Sequence, residues 1–439
     1  MNIGLRVDVY DANRPVLKDD YSLFEINTLA EVQDQGAIEF TRPSNIGGNY
    51  LVYVNKVMDP TRVVGYRNGD QWFNASGLEI QDPTILDAGS GISPSLKNPE
   101  IKSLHGDWTP DMTFQDYKKT INILPQISID YTLINRINFY VNYSSFTQNP
   151  TSYNNFRPEQ YYYWSAYSQT NSIENPNLKP MMAEKFFTGV KSRVWKNLVV
   201  DLSFISTTIY NMISLKSYVG AYPSTYVTLY NDPHPVTTNG FETRINYVST
   251  TGTGFFGGLN ATKLFTDEEY PFKIAVSDLV INTNAGYQFG NKNNFRGPSW
   301  ANVKALHGLS ATVYYQYRRG IPYYSTRDVG GYLYSGVKHT PNINLFNLNI
   351  QKDISLGTKA MMNVYLTIEN VFNFQNVYDV YSYTGKPDDD GLLTSDNYQN
   401  FIDHQLNPDS FRLLYQLHLY DPTFYGTPRI WRLGVIFRY

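Results

Sequence analysis

Apolar and polar residues alternate with a period of two along much of this chain. From the start, Ile3, Leu5, Val7 and Val9 are interleaved with Gly4, Arg6, Asp8 and Tyr10, the pattern of a strand with one apolar and one polar face. Ile127, Ile129 and Tyr131 alternate with Gln126, Ser128 and Asp130, and Ile137, Phe139, Val141 and Tyr143 with Asn138, Tyr140, Asn142 and Ser144. Joined by a short turn, these two runs read as a hairpin. The period returns over residues 183–194, 198–210, 240–248, 255–265, 280–290, 307–319, 343–353, 360–371 and 429–439. The pattern predicts about twelve strands and no amphipathic helix.

The connections carry further information. Residues 11–118, 145–182, 211–239, 266–279, 320–342 and 372–428 make long ones, whereas 195–197, 249–254 and 354–359 make short ones, with 291–306 intermediate. In an up-and-down meander, alternate connections lie at the same end of the sheet. Long loops at one end and short turns at the other are the asymmetry of a transmembrane β-barrel, with long extracellular loops and short periplasmic turns. Twelve membrane strands of about 10 residues use about 120 residues and leave roughly 320 for loops and strand extensions. The first loop is expected to carry its own hairpin, 62–66 with 71–74, because Asn68-Gly69 is a strong turn signal.

Composition removes competing classes. The 439 residues include 38 Tyr, 24 Phe and 6 Trp, no Cys, and a net charge of −3. Such aromatic content argues against disorder. A disulfide scaffold and a Cys-based zinc site are excluded, and nothing in the charge suggests a nucleic-acid partner. The longest apolar run is about five residues, at 50–54, too short for a membrane helix. The opening residues have neither a basic nor an apolar leader region, so no signal peptide is expected. In the last strand Trp431, Leu433, Val435, Phe437 and Tyr439 share one face, opposite Arg432, Gly434 and Arg438. Apolar-out, polar-in alternation with aromatics at its ends suits a lipid-facing strand and its assembly into the membrane. The same segment would also serve as the last strand of a soluble β-sandwich.

Three stretches resemble TonB-dependent outer-membrane receptors of the Bacteroidota kind. They are Asn175, Pro176, Leu178, Lys179 and Pro180 ahead of a strand, the penultimate strand with its ending, Leu366-Thr367-Ile368-Glu369-Asn370-Val371-Phe372-Asn373, and the terminal aromatic strand. Met181 departs from the family pattern, which has Glu there. The resemblance covers residues 183–439 well and the first loop loosely. It implies the C-terminal part of a plugged barrel of about 22 strands, so that residues 1–439 would be a barrel portion lacking the plug, with 11–118 as a long loop and 119–439 as strands and loops. It implies a location in the outer membrane of a Gram-negative bacterium. Its partners would be membrane lipid, the barrel-assembly machinery, the TonB system acting through a plug, and a small ligand that is a glycan, a peptide or a metal chelate. A twelve-strand barrel standing alone is the alternative.

Other motifs point away from catalysis. Gly252-Thr253-Gly254-Phe255-Phe256-Gly257 fits a dinucleotide pattern, but a strand pattern follows where a helix is required, so a tight turn is the expectation. The 6 His show no metal-ligand spacing, and no nucleophile elbow occurs. No cofactor and no enzymatic activity are expected. Asp388, Asp389 and Asp390 are either a solvated acidic loop or a calcium site. The densest aromatic cluster, Tyr161, Tyr162, Tyr163 and Trp164 with Tyr153, Phe156 and Tyr167 nearby, is either a ligand-contact patch or packing within its loop. The functional expectation is a nutrient receptor that binds on its loops and admits its ligand through a gated lumen. A soluble carbohydrate-binding β-protein and a passive porin or adhesin barrel remain the alternatives.

Overall fold

The computed structural model describes the chain from Met1 to Tyr439 except residues 37, 39, 90, 102–105, 135, 151–154, 167–171, 250, 267–275, 292, 298–299, 301–302, 330–331 and 358–359. It is an all-β protein built on a single 12-stranded antiparallel sheet. The strands are β1 (Asn2–Tyr10), β2 (Thr120–Ile134), β3 (Ile137–Gln148), β4 (Met181–Trp195), β5 (Leu198–Tyr210), β6 (Val236–Tyr247), β7 (Gly254–Thr266), β8 (Leu279–Gln288), β9 (Leu309–Arg318), β10 (Ile343–Ser355), β11 (Met361–Glu369) and β12 (Ile430–Arg438). Their order in the sheet is their order in the chain. All twelve segments expected from the alternation are present.

Register keeps the two faces chemically distinct from edge to edge. Val7 lies opposite Ile123, Ile127 opposite Tyr143, Val190 opposite Leu202, Ile245 opposite Leu259, Val313 opposite Leu348, and Leu366 opposite Leu433. Because a slip of one residue would turn every side chain of a strand to the other face, this matching of apolar partners fixes the pairing. The apolar face is uncovered by protein: Ile3, Leu5 and Leu433 are 70%, 69% and 77% exposed. On the opposite face Asn142, Asp201, Arg244, Asn282, Gln316 and Arg432 occupy the intervening positions. Gly189 and Gly434 also sit on that face, beside the rings of Tyr140 and Tyr365, where a Cβ would collide. The ring of one strand thereby fills the space its glycine partner leaves.

The strand ends joined by 11–119, 149–180, 211–235, 267–278, 319–342 and 370–429 lie at one end of the sheet; of the five joints at the other end four are short, and 289–308 is the exception. The sheet is open: β1 pairs with β2 alone and β12 with β11 alone.

At the long-loop end the connections fold into a cap. Residues 11–119 contain a 5-stranded sheet in the order Glu79–Ile80, Gln71–Asn74, Val63–Asn68, Leu51–Val54, Ser93–Pro94. The expected hairpin is there, turning on Gly69 at φ 59°. The longest apolar run forms a strand of this small sheet, with Val52, Tyr53 and Val54 buried. The expectation of no helices is overturned in the cap. Leu29–Gln35 begins with a Thr28/Glu31 capping box and ends on Gly36, while Asp396–Asp403 and Pro408–Leu419 form a helical pair in the last connection. These helices are short, and Leu413, Leu414 and Leu417 of the last one are exposed, so no long apolar stripe signalled them.

Candidate ligand-binding site

The main buried cluster joins three connections: Leu23, Tyr53 and Trp72 from the first, Tyr161, Trp164 and Ile173 from the second, Tyr218 and Tyr226 from the third. A cation stands at its centre. Arg67, 3% exposed, donates to the Tyr53 hydroxyl at 2.9 Å and to Gly69 O at 2.9 Å, and pairs with the Asp19 carboxylate. Its guanidinium also lies 4.6 Å from the Tyr21 ring centre. Burial pushes the Tyr53 hydroxyl up to about 12. The third connection is tied on by Lys216, which donates to Asp70 at 2.8 Å, and by Tyr226, which donates to Asp20 O at 2.8 Å. Burial, then the charge of Asp19, raises the Asp20 carboxyl.

The aromatic cluster of the second connection divides between two roles. Tyr161 and Trp164 are buried: the Tyr161 hydroxyl donates to Glu174 O at 3.1 Å and the Trp164 indole to Ser224 O at 2.7 Å. Tyr162 and Tyr163 are exposed, their ring centres 4.7 Å apart. Tyr153 and Tyr167 lie outside the described residues. Beside Tyr161 to Tyr163 opens a cleft of about 480 Å³, walled on the other side by Pro15, Trp108 and Phe114 from the first connection. Residues from the first connection were not linked to this cluster by sequence, because they lie far from it along the chain and meet it only in the folded cap.

The residues that carry the family resemblance act as clasps. Asn175 donates to Leu229 O at 2.9 Å, Leu178 is fully buried, and Lys179 exchanges backbone bonds with the Asn231 side chain at 2.7 and 3.0 Å. Pro176 and Pro180 flank this segment as it enters β4. Asn370, at φ 50°, donates to Phe374 O and Thr427 O and accepts from the Phe374 N–H. Asparagine tolerates that left-handed backbone and supplies both polarities. The first motif ties the end of the second connection to the third, and Asn370 ties the two ends of the last connection together. In β12, Trp431, Leu433, Val435 and Phe437 lie on the apolar face, with Tyr439 exposed just beyond the strand.

Asp389 is buried and accepts from the Gly391 N–H, the Thr394 hydroxyl and Lys386, at 2.9, 3.0 and 3.2 Å. Burial opposes its ionisation, but these donors outweigh that and hold it below the usual carboxylate value. Asp390 accepts from the Leu392 N–H and the Tyr415 hydroxyl. The acidic run thus braces its own turn. Among the described residues no group of three or more His, Asp or Glu could hold a metal. Gly252 and Gly254 have positive φ and lead into β7, so no helix N-terminus follows to receive a pyrophosphate.

On the polar face of the sheet, Arg244, Asn246, Asn260, Asn282, Asn284 and Gln316 border a second hollow of about 430 Å³. Gln316 donates to Asn282 across the β8–β9 pair at 2.6 Å.

No protein-family model matches the chain, and no curated protein matches it. Among solved structures it is similar to FpvA of P. aeruginosa bound to pyoverdines, at 11% identity and a TM-score of 0.44, covering 74% of this chain and 34% of that one. The ferric enterobactin receptor of Pseudomonas aeruginosa is similar at 14% identity and a TM-score of 0.43, with 58% and 36% covered. For the iron transporter FrpB of Neisseria meningitidis the values are 14%, 0.42, 72% and 39%. The chain therefore spans 34% to 39% of the length of these structures.

Proposed function

We propose that this chain is wall and outer cap of an outer-membrane receptor barrel of the TonB-dependent kind, binding a nutrient on its long loops. The observation that carries the reading is the sheet itself. A predominantly apolar face across twelve strands, with polar groups behind it and the five longest connections at one end, is what lipid on one side and a wet lumen on the other require. A soluble carbohydrate-binding protein would leave that apolar face in water. The motif resemblance at Asn175 to Pro180 and Glu369 to Asn373 supports the same family.

The two unpaired sheet edges fit a share of a larger cylinder, because unsatisfied edge N–H and C=O groups are not tolerated in hydrocarbon. In this reading the binding step is non-covalent and passage is gated by a plug. Flotation tests it. Chain refolded with liposomes should rise with the lipid and require detergent for extraction. A monomer that stays in detergent-free buffer would overturn the proposal.

A further inference from the structure

The cleft beside Tyr161 to Tyr163 is built for one kind of group. We infer that it binds an aromatic ring of a small ligand by stacking, and that it does not read the hydroxyls of a sugar. The physiological role of such binding rests on the receptor reading; the chemistry of the cleft does not.

Its volume, about 480 Å³, lies within the range of about 300–1,000 Å³ typical of small-molecule sites. The polar atoms of the two polar rings inside the cleft, Trp108 and Tyr161, are already committed elsewhere. The Trp108 N–H donates to the Thr113 hydroxyl at 2.8 Å, and the Tyr161 hydroxyl to Glu174 O. Pro15, Pro110 and Pro158 have no N–H to offer. What remains facing the interior, inside the rim of Glu159, Tyr162 and Tyr163, is ring surface and proline methylene. A sugar pressed into that interior would leave the hydroxyls it buries unpaired.

The rings are also fixed in an arrangement that suits a further ring. Phe114 meets Phe156 and Tyr161 edge-on at 5.3 Å in both cases, while Phe156 and Tyr161 stack at 24°. Such an array presents electron-rich faces and electron-poor edges together, and another aromatic satisfies both in offset or edge-on contact. At the mouth, exposed Tyr162 and Tyr163 can close over a guest, and their hydroxyls with the Glu159 carboxylate supply the polar rim.

The test uses the whole chain in lipid nanodiscs, with indole and glucose as probes and saturation-transfer NMR as the readout, against empty nanodiscs. Indole protons should receive saturation beyond the lipid background, glucose should receive none, and excess glucose should not displace indole. Tyr163→Ala, at an exposed position, should weaken indole binding about tenfold, the value of one ring contact. Phe156→Ala should weaken it as well, with folding checked by circular dichroism. Indole signal no greater than in empty nanodiscs, or binding unchanged in Tyr163→Ala and in folded Phe156→Ala, or displacement by glucose, would each overturn the inference. Loss of liposome flotation with ring binding retained would sink the receptor reading and leave the cleft; the reverse result would sink the cleft alone.

Discussion

At the scale of single residues, the side chains that matter most for the cap are polar ones buried among rings. Arg67 is held by Tyr53, Gly69 O and Asp19 beneath aromatic faces. Its removal strands the Tyr53 hydroxyl and a partly exposed carboxylate. Arg67→Ala should therefore destabilise the cap by on the order of 3 kcal/mol, read as lost hydrogen-exchange protection over residues 50–74, while the twelve strands keep theirs. Equal loss in cap and sheet would contradict this local account. Asp389 gives a pH dependence with a definite sign. Its folded value lies below the unfolded 3.8, so its stabilisation is present above that pH and lost on acidification through the folded value. Proteolysis of residues 384–395 should accelerate as the pH falls below about 3.8, and Asp389→Asn should be nicked readily at neutral pH. Acid-independent nicking in the native chain would refute the assignment. None of these pairings was legible in the sequence, since Asp19 and Arg67 lie 48 positions apart within the first connection and Tyr161 and Phe114 come from separate connections, so each pair meets only through folding. The acidic triplet could be seen but not its donors.

At the scale of elements, strands were legible and helices were not. Alternation with period two survives in the sequence because lipid or water faces one side and a polar interior the other, so each position is chosen by its medium. Leu433→Arg on the apolar face of β12 should cost about 2–4 kcal/mol of membrane stability, whereas Arg432→Leu on the polar face should cost much less. Urea titration of the inserted protein compares the two; equal effects would mean that β12 does not face lipid. The cap helices escaped notice because they are short and set by caps at Thr28, Ser395 and Asn407. The hairpin around Gly69 was legible because its turn chemistry is local. The motifs at Asn175 and Asn370 were visible as strings of residues. Only the fold shows that they work as clasps, one between two connections and one across the two ends of the last.

At the scale of the whole molecule, the distribution of hydrophobic burial is inverted relative to a soluble sandwich. The large apolar face of the sheet is uncovered, while the packed aromatic core lies in the cap. The same inversion explains the Tyr count: rings fill the cap, border the lipid side and plug glycine gaps on the polar face. Sequence by itself determined the twelve strands, their faces and the end at which the long loops gather, because these follow from residue-by-residue alternation and connection length. Tertiary structure alone decided that three connections share one core, that Tyr161 and Trp164 are buried while Tyr162 and Tyr163 are not, and that Trp108 and Phe114 complete a cleft. Those outcomes depend on contacts between segments far apart in the chain, and no local period records which distant ring a given ring will meet.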